Sequence, residues 1–158
     1  RHSCFNVLNP APASELPQGL FPLIDLITPN ETETHYLTGI AVTDDSSAER
    51  AASALHQLGV EAVIITRGGA GVTLSQQTQG EQRIARHVPA FPVTAVDTTA
   101  AGDVFNGCLV TALAEGKPLD RALPLAQAAA AIAVQTAGAQ TSIPTRRAIA
   151  DFLQRHDA

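Results

Sequence analysis

Asp97-Thr98-Thr99-Ala100-Ala101-Gly102-Asp103 holds the residue types from which an anion site can be built. Two small residues and a glycine let the backbone come close to a ligand. In the run that follows, Phe105, Cys108, Leu109, Ala112 and Leu113 share one helical face, and residues 91–96 before it are strand-like, so the seven residues form a strand-to-helix turn. The first N–H groups of a helix have no partner within it. Together with the positive end of the helix dipole they suit a phosphate or a developing phosphoryl charge. An acidic Asp103 sits strangely at such a site. As a plain N-cap or first-turn acid it would stabilise the helix by about 1 kcal/mol.

Two further stretches carry candidate chemistry. Thr66-Arg67-Gly68-Gly69-Ala70-Gly71 follows an apolar run, at the place where open α/β sheets tend to bind ligands. It lacks the G-K-[ST] of a Walker loop and is not a dinucleotide fingerprint; the plainer reading is a glycine-rich turn between strands. Asn30-Glu31-Thr32-Glu33 follows Pro29, and by itself is an ordinary capped helix start. The five histidines are scattered without metal-ligand spacing and are expected to be mostly solvated, and no G-x-S-x-G supports acyl transfer.

The Asp97 to Asp103 stretch resembles the D-T-x-[AG]-A-G-D signature of the ribokinase-like (pfkB) family of sugar and nucleoside kinases. Asn9-Pro10-Ala11-Pro12-Ala13, residues 28–33 and Gly138-Ala139-Gln140 extend the likeness over essentially the whole chain. The resemblance implies ATP-dependent phosphorylation of a pentose, D-ribose foremost, with deoxyribose, fructose, nucleoside and keto-sugar-acid kinases as alternatives within the family and a non-catalytic nucleotide-binding fragment outside it. It makes Asp103 the catalytic base and the amides of Ala100, Ala101, Gly102 and Asp103 the anion hole. It makes Asn30 and Glu33 an N-x-x-E motif that helps place Mg2+ through water, a cation that keeps several waters of its own, with Asn30 counted among the nucleotide-binding residues and Glu33 on the metal side. Thr66, Arg67, Gly68, Gly69, Ala70 and Gly71 would border the ATP, with Gly102 near the phosphates and Gln127 facing the nucleotide. Asp97, Thr99, Ala133, Thr136, Gly138 and Ser142 correspond to a monovalent-cation site, K+ as activator. For Asp97 the alternative is a carboxylate bonded to loop amides.

The match is to the C-terminal, nucleotide-binding half of such an enzyme. Of the residues expected to touch the sugar, only Asp103 is present, so the segment alone is expected to be inactive and prone to association. The whole protein is expected to be a cytoplasmic homodimer acting on sugar and ATP.

Positioning these residues takes alternating strands and helices. Strands are expected at residues 5–8, buried, and 24–28, each stopped by proline, then at 62–66, 72–75 and 84–88, with a hairpin tip in the polar tract 76–82. Helices are expected at 16–23, weakly, and at 30–38, closed by Gly39. Another, from 46 to 58, starts with a capping box from Ser46 to Glu49 and buries a stripe of Ala48, Ala51, Ala52, Leu55 and Leu58. The helix after the central turn stops at Gly116-Lys117-Pro118, the next starts at Asp120 and is ended by Gly138, and the last covers 145–156. Repeated strand-to-helix switches suggest parallel crossover units. The fold class is therefore α/β with a largely parallel sheet, and by resemblance a ribokinase-like three-layer α/β/α sandwich formed by residues 1–158 as one domain.

Composition agrees with this class. Of 158 residues, 45% are hydrophobic, enough for a core, and the net charge of −5 without a basic stripe argues against nucleic acid or an anionic membrane as partner. Cys4 and Cys108 form neither a disulfide framework nor a zinc spacing, as in a reducing compartment. No apolar run reaches the roughly 20 residues that span a bilayer. The absence of methionine and the start at Arg1 suggest a piece of a longer protein.

Overall fold

A computed structural model describes residues 4–76 and 84–156. They form two compact units, residues 1–89 and 90–158. The tip of the expected hairpin, residues 77–83, lies outside the described residues.

The first unit is built on a five-stranded sheet in the order β1 (Val7–Leu8), β2 (Leu26–Ile27), β3 (Ala62–Thr66), β4 (Val72–Gln76), β5 (Ile84–Val88). The pairs β1–β2 and β2–β3 are parallel, whereas β3–β4 and β4–β5 are antiparallel, so only β4 runs against the others. The sheet is thus mixed, with its antiparallel part where the glycine-rich stretch and the polar tract suggest it. Ala62, Val63, Ile64 and Ile65 are all buried, so β3 is covered on both faces, as its unbroken apolar run requires.

Two helices belong to this unit, α1 (Glu31–Thr38) and α2 (Asp45–Gln57). Ala48, Ala51, Ala52 and Leu55 of α2 are fully buried and join Ile27, Val63 and Ile65 in one core. Leu58, expected to extend the stripe, is 36% exposed because it caps the helix instead of continuing it. The start of α2 also differs from expectation. Asp44, not Ser46, is the N-cap: its carboxylate accepts the Ser47 N–H at 2.7 Å, and Ser47 Oγ accepts the Asp44 N–H at 3.0 Å. The Ser47 amide holds the Asp44 carboxyl below its usual range. Ser46 lies beyond the cap, and its Oγ accepts from Arg50 at 2.9 Å.

Four smaller corrections concern the same unit. The first strand keeps only Val7–Leu8, half-buried, and Phe5 is 58% exposed. Residues 24–28 contribute only Leu26–Ile27 to the ladder, and the weak helix is a 3-10 turn, Gln18–Leu23, with Pro22 inside it. Among the histidines His56 is buried, its Nδ1 2.9 Å from the Val60 carbonyl and its Nε2 2.8 Å from Ser75 Oγ. Gly59, at φ 110°, follows α2 where a Cβ would come within 3.0 Å of Pro22.

The second unit is helical: α3 (Ala101–Ala114), α4 (Leu119–Ala133) and α5 (Arg146–His156). Ala128, Ala129, Ala131 and Ala133 of α4 pack in one core with Val104 of α3 and with Ile149 and Phe152 of α5. Small side chains let helix axes approach, and Phe91 closes the cluster edge-on against Phe152 at 5.2 Å. Residues 91–96 are not a strand. Pro89 and Pro92 remove donors, Phe91 and Val93 pack against the helical core, and the run ends with the Val96 and Asp97 amides both donating to the Val134 carbonyl. The N-cap of α4 is Pro118, so Asp120 falls inside the first turn and complements the dipole there. The helix ends at Ala133 rather than at Gly138, which lies in the following turn at φ 91°.

Candidate active site

The turn before α3 depends on Ala100, which takes φ 60° and ψ 10°, the left-handed conformation. A side chain costs about 1–2 kcal/mol in that region. The kink lets the Ala101 N–H reach the Thr98 carbonyl at 3.2 Å and lets the Ala100 carbonyl accept the first helical bond, from Val104, at 2.9 Å. The Gly102 and Asp103 amides then donate to no described residue. A Cβ added at Gly102 would meet nothing within 4 Å, so packing does not demand glycine there, and the backbone is open to whatever approaches it.

Asp103 is exposed and has no hydrogen-bond or ion-pair partner among the described residues. It borders a cavity of ≈ 590 Å³ within the second unit, whose walls include Gly107, Cys108, Thr111, Ala129 and Ile149. Neither the mouth of the helix nor the carboxylate is sealed. At the other end of the cavity Glu115 accepts hydrogen bonds from both terminal guanidinium nitrogens of Arg146 and, at 2.5 Å, from the Lys117 ammonium. These partners, Arg146 first, hold the Glu115 carboxyl at about 2. Burial pushes the Cys108 thiol up, so its nucleophilic form is disfavoured.

Asp97 ties the turn to the segment after α4. One carboxylate oxygen accepts the Thr99 amide and the other the Gly138 amide, each at 2.9 Å. The Gly138 amide, with the Thr99 side chain and amide, lowers its pKa to about 2. Both oxygens thus already bond loop amides. Ser142, buried, donates its amide to the Gly138 carbonyl at 3.3 Å, and Thr136 donates to the Ala133 carbonyl at 3.1 Å. Asp97, Thr99, Thr136, Gly138, Ser142 and the end of α4 at Ala133 therefore form one bonded neighbourhood. Among the described residues no three His, Cys, Asp or Glu side chains converge as metal ligands. Gln127 is buried on α4 and is not without a partner.

The first unit gathers the other sequence-predicted residues at the carboxyl ends of β2 and β3, the edge where open α/β sheets bind ligands. Asn30 and Thr66 are bridge partners, and the Thr66 amide donates to the Pro29 carbonyl at 2.9 Å. Asn30 Oδ1 accepts the Glu33 amide while Glu33 Oε2 accepts the Asn30 amide, both at 2.8 Å. This capping box buries Glu33 to 5% exposure and fixes the pair as one unit. Residues 66–71 fold back on themselves: the Arg67 amide reaches the Gly71 carbonyl at 2.8 Å, and the Gly71 amide reaches that of Gly68 at 3.0 Å. Gly68 and Gly69 face open space. The Arg67 guanidinium, by contrast, turns inward to Asp45, a residue that no motif or spacing singles out.

The pfkB carbohydrate kinase family model matches residues 1–146. The chain belongs to the pfkB family of carbohydrate kinases. It is 54% identical over 148 residues to a ribokinase of Haemophilus influenzae, covering 94% of this chain and 47% of that protein. It thus spans about half the length of that relative. Arabidopsis thaliana ribokinase, solved with ribose and ATP, superposes with a TM-score of 0.83 at 35% identity, over 94% of this chain and 47% of its own. An E. coli protein solved with ATP and Mg2+ gives a TM-score of 0.71 at 32% identity, over 88% of this chain and 42% of its own. The α/β fold is accordingly of the ribokinase type.

Proposed function

We propose that the whole protein is an ATP-dependent ribokinase, transferring the terminal phosphoryl of ATP to the 5-hydroxyl of D-ribose, and that these 158 residues are its C-terminal, nucleotide-binding portion, read as one domain. The observation that carries the proposal is the pairing of an unpartnered, solvent-facing Asp103 with the acceptor-free amides of Gly102 and Asp103 at an open glycine. The identity to a ribokinase and the likeness to a ribokinase structure with ribose and ATP support the choice of substrates.

In this reading the acceptor hydroxyl gives its proton to the Asp103 carboxylate as its oxygen attacks the γ-phosphorus, and the bond to the departing ADP breaks. The amides at the start of α3 take up charge on the transferring group. Asn30 and Glu33 would help hold Mg2+ through water, and the ion would neutralise charge on the nucleotide phosphates; Glu33 suits that role because it keeps one carboxylate oxygen beyond its capping bond. Residues 66–71 and Gln127 border the nucleotide. Carbonyls near Asp97, from Ala133 to Ser142, would hold K+, whose field acts on the turn that Asp97 braces. We read the whole protein as a cytoplasmic homodimer; no helix among the described residues is long and apolar enough to cross a membrane.

The test is a coupled ATP assay on the full-length protein with ribose, deoxyribose, fructose, nucleosides and keto-sugar acids. Ribose is expected to give the highest kcat/KM, and Asp103→Asn to lower turnover by roughly 100-fold to 10,000-fold. Near-normal turnover by that variant, or no turnover with any acceptor, would overturn the reading.

A further inference from the structure

Residues 68–71 join β3 to β4, whose ladder holds both ends through the Thr66–Val72 pair, but they carry almost no side chain with which to fix the loop between. Three of its four residues are glycines, and Ala70 offers an exposed methyl group. Its internal bonds fix its shape and the β3–β4 ladder fixes its two ends; among the described residues no backbone bond of residues 68–70 reaches beyond 67–71. The first side chain long enough to do so is that of Arg67, immediately before it. That side chain is only 8% exposed, and its NH1 donates to Asp45 Oδ1. Asp45 stands in the first turn of α2, a helix start already locked by the capping box of Asp44 and Ser47. His87 of β5 lies with Nδ1 3.7 Å from the same Asp45 oxygen. Arg67 Nε is buried with no partner among the described residues, and the guanidinium is held through NH1 by Asp45, whose carboxylate is 58% exposed.

We propose that Arg67 and Asp45 form a strut that positions the glycine loop for nucleotide, with the Arg67 charge spent on Asp45 and not offered to phosphate. The inference rests on the reading of residues 66–71 as the nucleotide border. Arg67 is then a positioning residue: removing either partner lets the loop move, which weakens nucleotide binding and leaves the sugar site untouched.

The experiment measures ADP affinity by calorimetry, and KM for ATP and for ribose, on the full-length protein. Variants are Asp45→Asn, Arg67→Met, the double variant and Gly69→Val. The double variant removes both charges together and so avoids stranding a buried guanidinium. Asp45→Asn is expected to weaken ADP on the order of tenfold and to raise KM for ATP alike, with KM for ribose within about twofold. The double variant should lose no more than either single one, because both cut the same strut. A phosphate contact by Arg67 predicts instead that Arg67→Met weakens ADP while Asp45→Asn does not, and that result overturns the proposal. So does a fall in melting temperature with ADP affinity unchanged. Gly69→Val separates the two readings: its position has room for a side chain. If it weakens ADP and the Asp45 variant does not, the strut alone is wrong; if neither does, the nucleotide assignment of the loop falls with it.

Discussion

Two carboxylates in the second unit have similarly low pKa values for different reasons, and the difference is measurable. Asp97 is held at about 2 by the Gly138 amide and by the side chain and amide of Thr99, whereas Glu115 is held there by the cations of Arg146 and Lys117. For Glu115 the folded value lies below the ordinary 4.5, so its contribution to stability is complete above that pH and is lost as pH falls through the folded value near 2. Glu115→Gln should therefore be less stable than the parent at neutral pH, with the gap closing across that acid window and shrinking at high salt. Denaturant midpoints at several pH and salt values check this; a gap that ignores both would remove the ion pairs from the account. Ala100 offers a second test. Its left-handed backbone favours glycine, so Ala100→Gly should raise stability by up to about 1 kcal/mol in the same measurement. A loss of stability would mean that the methyl group earns its place by contacts at the turn.

At the scale of elements, the two competing starts of α2 make opposite predictions. Ser47 Oγ accepts the amides of Thr43 and Asp44 at 2.9 and 3.0 Å, so Ser47→Ala should cost about 1–2 kcal/mol of stability. Ser46→Ala, which removes only a surface contact to Arg50, should stay within about 0.5 kcal/mol. Ser46–Glu49 is the pair read from the sequence; Asp44 and Ser47 stand at the same spacing two residues earlier, and the structure uses that pair. Where a signal is local and unopposed, it is legible: the run of Ala62 to Ile65, the alanine stripe of α2 and the glycine after α1 all stand where the residues place them. Residues 91–96 mislead because apolar alternation is the same whether a strand or a helical core covers it, and two prolines favour the core. The turn at residues 97–103 is legible from its small residues. The inward turn of Arg67 is not, because its partner lies 22 residues away on another element and no periodicity links them.

At the scale of the whole molecule, the division of labour within the family sets the last prediction. The chain spans 47% of the Haemophilus ribokinase, and in the function proposed above Asp103 is the one residue assigned to the sugar. A base and an anion hole accelerate little unless both reactants are held in line, because fixing two reactants together supplies the largest part of the entropic advantage, an effective concentration of about 10⁵ M or more. The 158 residues assayed by themselves should therefore show ribose-dependent ATP turnover below about one thousandth of that of the full-length protein. Any residual affinity should be for nucleotide, since residues 66–71 fold back on themselves within the first unit and their bonds close there. Calorimetry with ADP and a coupled assay with ribose, run on segment and whole protein together, separate the two quantities. Turnover by the segment within tenfold of the whole would place the sugar contacts inside these residues. Asp103 would then need partners on α3 to α5 that hold a pentose, and the cavity it borders would be the first place to look for them.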